Sequence, residues 1–216
     1  FTLYSLMSAG FVDEASAWRD WLLRAIAGTP DGAQILYGLH GERRTPEIEL
    51  SWLRGYEQSS PVRVGNAAAA QLQHDVYGEV MDALHLSRRV GIAPLEEAWA
   101  LQRHLVIDLE KRWKEPDEGI WEVRGPRQHF THSKVMAWVA FDRAVRDIEQ
   151  FGLEGPVERW RAIRDEIHES VCRRGFDQTI GSFTQYYGSS ELDASLLMIP
   201  LVGFLPATDE RVVGTV

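Results

Sequence analysis

The chain has 216 residues and a formal net charge of −9 at pH 7, so it lacks the basic surface that would attract nucleic acid or an anionic membrane. No run of residues is long and apolar enough to span a bilayer. The single cysteine, Cys172, excludes an intrachain disulfide and a cysteine-based metal cluster, and it favours a reducing, cytoplasmic compartment.

Helical periodicity dominates the sequence, and alternation typical of strands is scarce. Apolar spacing and stop signals predict about eight helices. The first two end at Gly10 and Gly28, and Asp13 is expected to cap the second. The third is predicted to start near Asn66, and the fourth to follow a tight turn at Pro94.

The second half of the chain continues this pattern. Thr131 or Ser133 is expected to cap the fifth helix, and the sixth is predicted over residues 157–174. The seventh passes through Leu192, and Asp209 caps the eighth. Five tryptophans at helical spacing are predicted to lie in the core: Trp18, Trp21, Trp99, Trp138 and Trp160.

The connections between these helices alternate between short and long. Short connections predict antiparallel neighbours, so the long ones should meet at one end. We name them loop one (residues 28–65), loop two (residues 114–130) and loop three (residues 175–190). Loops on a rigid scaffold often carry function, which favours stacked helical hairpins with a working face over a helical repeat that only binds partners.

Loop two contains an acid-rich stretch from Glu115 to Gly125 with one tryptophan and one arginine. A sugar-cleaving site needs a carboxylic acid beside an aromatic wall, because the acid must keep its proton near neutral pH. Glu122, directly after Trp121, is therefore the candidate catalytic acid. Asp117 and Glu118 either support the site from behind its lining residues or are solvated loop carboxylates, and solvated carboxylates are expected.

Four segments of the chain resemble glycoside hydrolase family 15, the family of glucoamylases and of bacterial trehalase-like α-glucosidases. They are Gly-Ile-Trp-Glu at 119–122, Pro-Val-Arg-Val-Gly-Asn-Ala-Ala at 61–68, Asp-Val-Tyr-Gly-Glu at 75–79 and Tyr-Gly-Ser-Ser-Glu-Leu-Asp-Ala-Ser-Leu-Leu at 187–197. The resemblance runs from end to end of the chain. It implies an all-α fold of the (α/α)6 toroid type, present as an incomplete ring of about eight antiparallel helices.

The resemblance also implies a reaction, which is inverting hydrolysis of α-glucosidic bonds with release of glucose. Glu122 would be the general acid and Trp121 the aromatic that contacts the sugar. Inversion needs a second carboxylate roughly 6.5–9.5 Å away as general base. The resemblance places that base beyond the C-terminus, so residues 1–216 are expected to be a partial catalytic domain, truncated at both ends and inactive alone.

Other loop residues are candidates for substrate binding. Trp52 and Tyr56 form either an outer subsite or ordinary packing. Tyr187 is a candidate for lining the pocket, as are Glu191 and Asp193, although acids are also favoured in the first turn of a helix.

Two arginines and two histidines leave further alternatives open. Arg63 is a substrate-binding candidate at a loop–helix junction, where Asn66 needs no ligand to act as a cap. Arg124 either holds a substrate hydroxyl or pairs with a loop acid. His129 and His132 lack the further ligands of a metal site, so no metal and no cofactor are expected.

The expected partner is a small α-glucoside or α-glucan. The resemblance leaves open whether trehalose or a maltose- or starch-type chain is preferred, and it leaves the oligomeric state open. The alternative from another class is a catalytically silent helical module that binds carbohydrate or protein. An incomplete ring also exposes apolar faces, so the segment alone is expected to associate or to dissolve poorly.

Overall fold

The computed structural model describes residues 2–27, 33–92 and 96–216. In these ranges the chain is mostly helical, which confirms the all-α prediction. The helices are α1 (Thr2–Ser8), α2 (Val12–Ala27), α3 (Asp75–Arg89), α4 (Glu96–Arg112), α5 (Thr131–Phe151), α6 (Val157–Arg174), α7 (Met198–Leu201) and α8 (Glu210–Thr215). Two short antiparallel pairs join β1 (Ile48–Glu49) to β2 (Arg63–Val64) and β3 (Phe176–Asp177) to β4 (Ser182–Phe183).

Helix α5 is the centre of the structure. Every residue from Thr131 to Val145 is buried, including polar ones. The helix packs most extensively against α3 and α6, and it also contacts α4 and α7. Such all-round burial is typical of a helix inside a large core, and it makes α5 the support for the loops at its N-terminal end.

The helices form two rows. Helices α1, α3, α5 and α7 contact one another in that order, while α2 contacts α4 on the other row. An open cavity is lined by Tyr4, Glu79, Met136 and Met198, which come from the four helices of the first row. Successive hairpins therefore stack side by side, as the alternation of short and long connections predicts. None of the described helices combines the length and apolar character that a membrane span requires.

Helix α3 begins later than the sequence predicts. Asn66 does act as a cap, because its side chain accepts a hydrogen bond from Ala68 N at 2.9 Å, but the helix that it caps is a short 3-10 helix over Ala67–Ala70. The chain is extended at Gln71, and α3 starts only at Asp75. The predicted start near Asn66 is therefore wrong by about two and a half turns of helix.

Other predicted caps have mixed outcomes. Asp13 lies in the first turn of α2 and not before it. Neither Thr131 nor Ser133 caps α5, because the capping position is Phe130 and its side chain makes no such bond. Asp209 does cap α8, since its carboxylate accepts from Arg211 N at 3.0 Å. The predictions for Gly28 and Pro94 lie outside the described residues.

Of the last predicted helices, the seventh differs from the structure and the sixth agrees with it. The seventh is a 3-10 helix over Ala194–Leu197 followed by the short α7, and Leu192 lies before both in an exposed position. The bounds of α6 match the predicted residues 157–174. Of the five predicted core tryptophans, Trp138 and Trp160 are buried, whereas the other three are half-buried and pack against the core.

The close contact between α3 and α5 depends on Gly78. A Cβ added there would clash with the main-chain carbonyl of Met136. Gly78→Ala is therefore expected to force the two helices apart and to destabilise the fold by roughly 1–3 kcal/mol. The matched control is Gly125→Ala, where an added Cβ meets nothing within 4 Å. Equal thermal midpoints for the two variants would contradict this packing.

Candidate active site

The three long loops meet at one end of the helices, as predicted. Loops two and three are joined by backbone hydrogen bonds, including Tyr187 N to His129 O at 3.1 Å and Thr131 N to Gln185 O at 2.9 Å. Loop one reaches loop two through an ion pair of 3.2 Å between Glu47 and Arg124. The loops therefore form one continuous surface above α5.

Two carboxylates hold loop two against the chain before α3. The Glu118 carboxylate accepts from Leu72 N at 2.7 Å and from Arg127 Nε at 2.9 Å, and Glu118 N donates to Leu72 O at 3.0 Å. Asp117, which is fully buried, accepts from His74 N at 3.0 Å. The expectation that these carboxylates are simply solvated is wrong, because they fix the base of the stretch that carries Glu122.

Glu122 occupies a turn with an unusual backbone. Its φ is +53°, a left-handed conformation that is uncommon for a residue other than glycine. Its N–H donates to Gly119 O at 3.2 Å, which closes the turn. Backbone strain of this kind is concentrated at functional sites. The turn places Glu122 at the wall of a cavity of about 450 Å³.

This cavity combines aromatic and acidic walls. Trp18, Trp21 and Tyr37 contribute the aromatic part, while Asp75 and Glu79 contribute carboxyl groups from the first turns of α3. Its volume lies within the range of small-molecule sites, about 300–1,000 Å³. Aromatic faces with a few convergent polar groups suit a neutral, polyhydroxylated ligand.

Burial shifts the acids of this wall toward their neutral forms. Burial, reinforced by the charge of Asp117, raises the pKa of Asp75 to about 7. Burial also raises the pKa of Glu79. A neutral carboxyl group can both donate and accept a hydrogen bond, so Asp75 at mildly acidic pH has both capabilities.

Asp75 gives a prediction about pH and stability. A carboxyl group whose pKa is higher in the folded than in the unfolded state costs stability as pH rises, because the unfolded chain releases its proton first. The loss should develop between about pH 4, the unfolded value, and the folded value near 7. As pH rises through this window, the thermal midpoint of Asp75→Asn is expected to increase relative to that of the wild type. A difference between the two midpoints that does not change with pH would contradict the prediction.

Trp121 is held by Asp193, which lies just after loop three. Its indole Nε1 donates to the two carboxylate oxygens of Asp193 at 2.9 and 3.0 Å, while 57% of the residue stays exposed. Asp193 also accepts from Ser195 N at 2.8 Å and so caps the 3-10 helix that follows. The polar edge of the ring is therefore fixed, and much of its surface stays open to a ligand.

The candidate arginines are paired with loop acids. Arg63 lies 3.1 Å from Glu47 and 3.0 Å from Glu49, and Glu47 also pairs with Arg124. Arg124 thus pairs with a loop acid, and the pair leaves 69% of the Arg124 side chain exposed. These pairs join β1 and β2 to loop two at the surface, where such contacts contribute only about 0–1 kcal/mol each.

The structure does not bring all the candidates together. Trp52 and Tyr56 are 73% and 84% exposed in the segment between β1 and β2. Tyr187 lines a different cavity, where its ring stacks on His129. Neither these three nor Trp121, Arg63 and Arg124 are among the described residues that line the cavity of Glu122. The described part of the chain also contains no group of three or more His, Cys, Asp or Glu arranged to hold a metal ion.

The fold resembles that of a solved structure. A solved glycosidase in complex with glucose matches the whole of this chain with a TM-score of 0.69 at 19% identity, and the match covers 57% of that chain. At this level of identity the similarity concerns the fold alone. It confirms that the stacked hairpins are of the helical toroid type.

Sequence comparison identifies the family. A family model described as glycosyl hydrolases family 15 matches residues 1–216. The chain is 46% identical to a trehalase of Mycobacterium tuberculosis over 85% of this chain and 27% of that protein. It is 42% identical to a trehalase of Mycolicibacterium smegmatis over 100% of this chain and 33% of that protein, so it spans about a third of the length of these relatives. The chain belongs to glycosyl hydrolase family 15.

Proposed function

We propose that this chain supplies the general acid of an enzyme that hydrolyses α-glucosidic bonds with inversion and releases glucose. The observation that carries the proposal is the position of Glu122, in a left-handed turn at the wall of an aromatic and acidic cavity. Membership of the family, and the trehalase names of its relatives, support the same chemistry.

The proposed reaction is a single displacement. Glu122 donates its proton to the glycosidic oxygen as the bond to the anomeric carbon breaks. A second carboxylate, which the family resemblance places after residue 216, takes a proton from the attacking water on the opposite face of the ring. Asp75 and Glu79 are proposed to bind sugar hydroxyls in the cavity that they share with Glu122.

The other loop residues are assigned by their surroundings. Trp121 is proposed as the platform for a sugar ring, since Asp193 fixes its indole edge. Arg63 and Arg124, joined through Glu47, are proposed to bind the substrate at the surface of the loops. The roles of three further side chains stay sequence-based predictions: Trp52, Tyr56 and Tyr187.

Trehalose is proposed as the preferred substrate, because the relatives from both mycobacterial species are trehalases. The test is release of glucose by the full-length protein from trehalose, maltose and soluble starch. Trehalose should be cleaved fastest, and a preference for maltose or starch would instead support a glucoamylase-type enzyme. Binding of these sugars without release of glucose would support the catalytically silent binding module.

A further inference from the structure

Lys134 lies in the first turn of α5 and is almost completely buried, with 1% of the residue exposed. Its Nζ donates to the carbonyl oxygens of Trp113 and Glu115, each at 2.5 Å. Burial lowers the pKa of Lys134 to about 8, so the ammonium form still predominates at neutral pH. Burying an ammonium group is costly unless its N–H groups find acceptors, so the two carbonyl groups are an essential part of this arrangement.

The two carbonyl groups mark the point where α4 ends and loop two begins. Helix α4 ends at Arg112, and Trp113 N still donates to Leu109 O at 2.8 Å. Carbonyl groups at the end of a helix have no partner within the helix, and their partial negative charge attracts a cation. Lys134 satisfies the carbonyl groups of Trp113 and Glu115, and it thereby ties the first residues of loop two to α5.

Asp117 extends this support to the chain before α3. It lies two residues after Glu115 and is fully buried. Burial raises the pKa of Asp117, while the N–H group of His74 and the positive charge of Lys134 oppose that shift. The Asp117 carboxylate accepts from His74 N at 3.0 Å, directly before Asp75. Lys134 therefore favours the ionised form of the carboxylate that joins loop two to the start of α3.

Loop two is closed above this anchor. Asp117 and Gln128 exchange two backbone hydrogen bonds, each of 2.9 Å. Glu122 lies between these two residues, at the wall of the cavity that Asp75 also lines. The position of Glu122 relative to Asp75 is thus set by a series of contacts that begins at Lys134.

We propose that Lys134 is a positioning residue for the hydrolysis, because it fixes the start of loop two on α5 and so holds Glu122 where its proton reaches the glycosidic oxygen. This role rests on the proposed function, since Lys134 acts through the general acid. Lys134 is not among the described residues that line the cavity of Glu122, so it acts without touching the sugar. A displacement of about 1 Å at a catalytic group can cost roughly 10²-fold in rate.

The test is a double-mutant cycle of Lys134→Met and Glu122→Gln in the full-length protein, with trehalose as substrate. Lys134→Met alone should lower kcat by about 10²-fold and leave KM close to that of the wild type, because the acid is misplaced while the sugar contacts remain. In the Glu122→Gln background the same change should cost far less, because no acid is left to position. The matched control is Lys111→Met, an exposed lysine on α4, which should leave kcat unchanged in both backgrounds.

If Lys134→Met fails to fold, Lys134→Gln takes its place in the cycle, because its amide can still donate to a carbonyl group, and it should show the same pattern with a smaller loss. Amide hydrogen exchange of the folded variant supplies a readout besides activity, and loop two should exchange faster than in the wild type. Equal losses of kcat in the two backgrounds, or unchanged exchange of loop two, would overturn the role of Lys134. Full activity of Glu122→Gln alone would instead overturn the proposed function.

Discussion

Glu122→Gln in the full-length protein is expected to lower kcat on trehalose by about 10²–10⁴-fold, the usual contribution of a general acid. The amide keeps the size of the side chain but cannot donate the same proton. The matched control is Glu115→Gln, an exposed carboxylate of the same loop. Kinetics on trehalose should separate the two variants clearly, with the control close to wild type.

A substrate that needs no acid separates proton donation from a structural role. Fluoride leaves α-glucosyl fluoride without being protonated, so Glu122→Gln should retain far more activity on this substrate than on trehalose. A general acid acts only on the departure of the leaving group. Equal losses on both substrates would show that Glu122 supports the fold of the loop or binds the sugar, and would contradict its role as the acid.

Asp147→Ala is expected to destabilise the protein by about 3–5 kcal/mol, because removal of one partner leaves buried charge uncompensated. Asp147 is fully buried on α5. Its carboxylate lies 2.6 Å from His85 Nδ1 and also accepts from Arg88 and, at 3.4 Å, from Gln102. These groups come from α3 and α4, so the change releases a polar network that joins three helices.

The measurement for Asp147→Ala is the midpoint of thermal unfolding. The control is Asp165→Ala on α6, whose carboxylate pairs with Arg164 at the surface and is 63% exposed. Surface changes of this kind usually stay within about ±0.5 kcal/mol. If both variants unfolded at the same temperature, the buried network would contribute nothing that a surface pair does not.

The sequence predicted most helices because their signals are local. Helix α6 shows this best, since Ile163, Ile167 and Val171 follow one face of a helix bounded by a turn on each side. The start of α3 was missed for the opposite reason. The backbone N–H of Leu72 donates to Glu118, 46 residues away in sequence, and that of His74 donates to Asp117, 43 residues away. A local sequence pattern cannot predict such contacts.

The same distinction applies to the candidate site. Trp121 and Glu122 are adjacent and carry a family motif, so the sequence identified them together. The bond from Trp121 to Asp193 spans 72 residues, and the bridge from Arg124 to Glu47 spans 77. Contacts between residues so far apart in sequence can be identified only from the three-dimensional arrangement of the loops.

The most direct test of the account is proton NMR of trehalose hydrolysis by the full-length protein, recorded before the released glucose mutarotates. Inversion converts the attacked unit to β-glucose while the leaving unit keeps the α configuration, so equal amounts of the two anomers are expected at first. Initial release of α-glucose alone would mean retention. It would contradict the proposal that Glu122 is the acid of an inverting hydrolase.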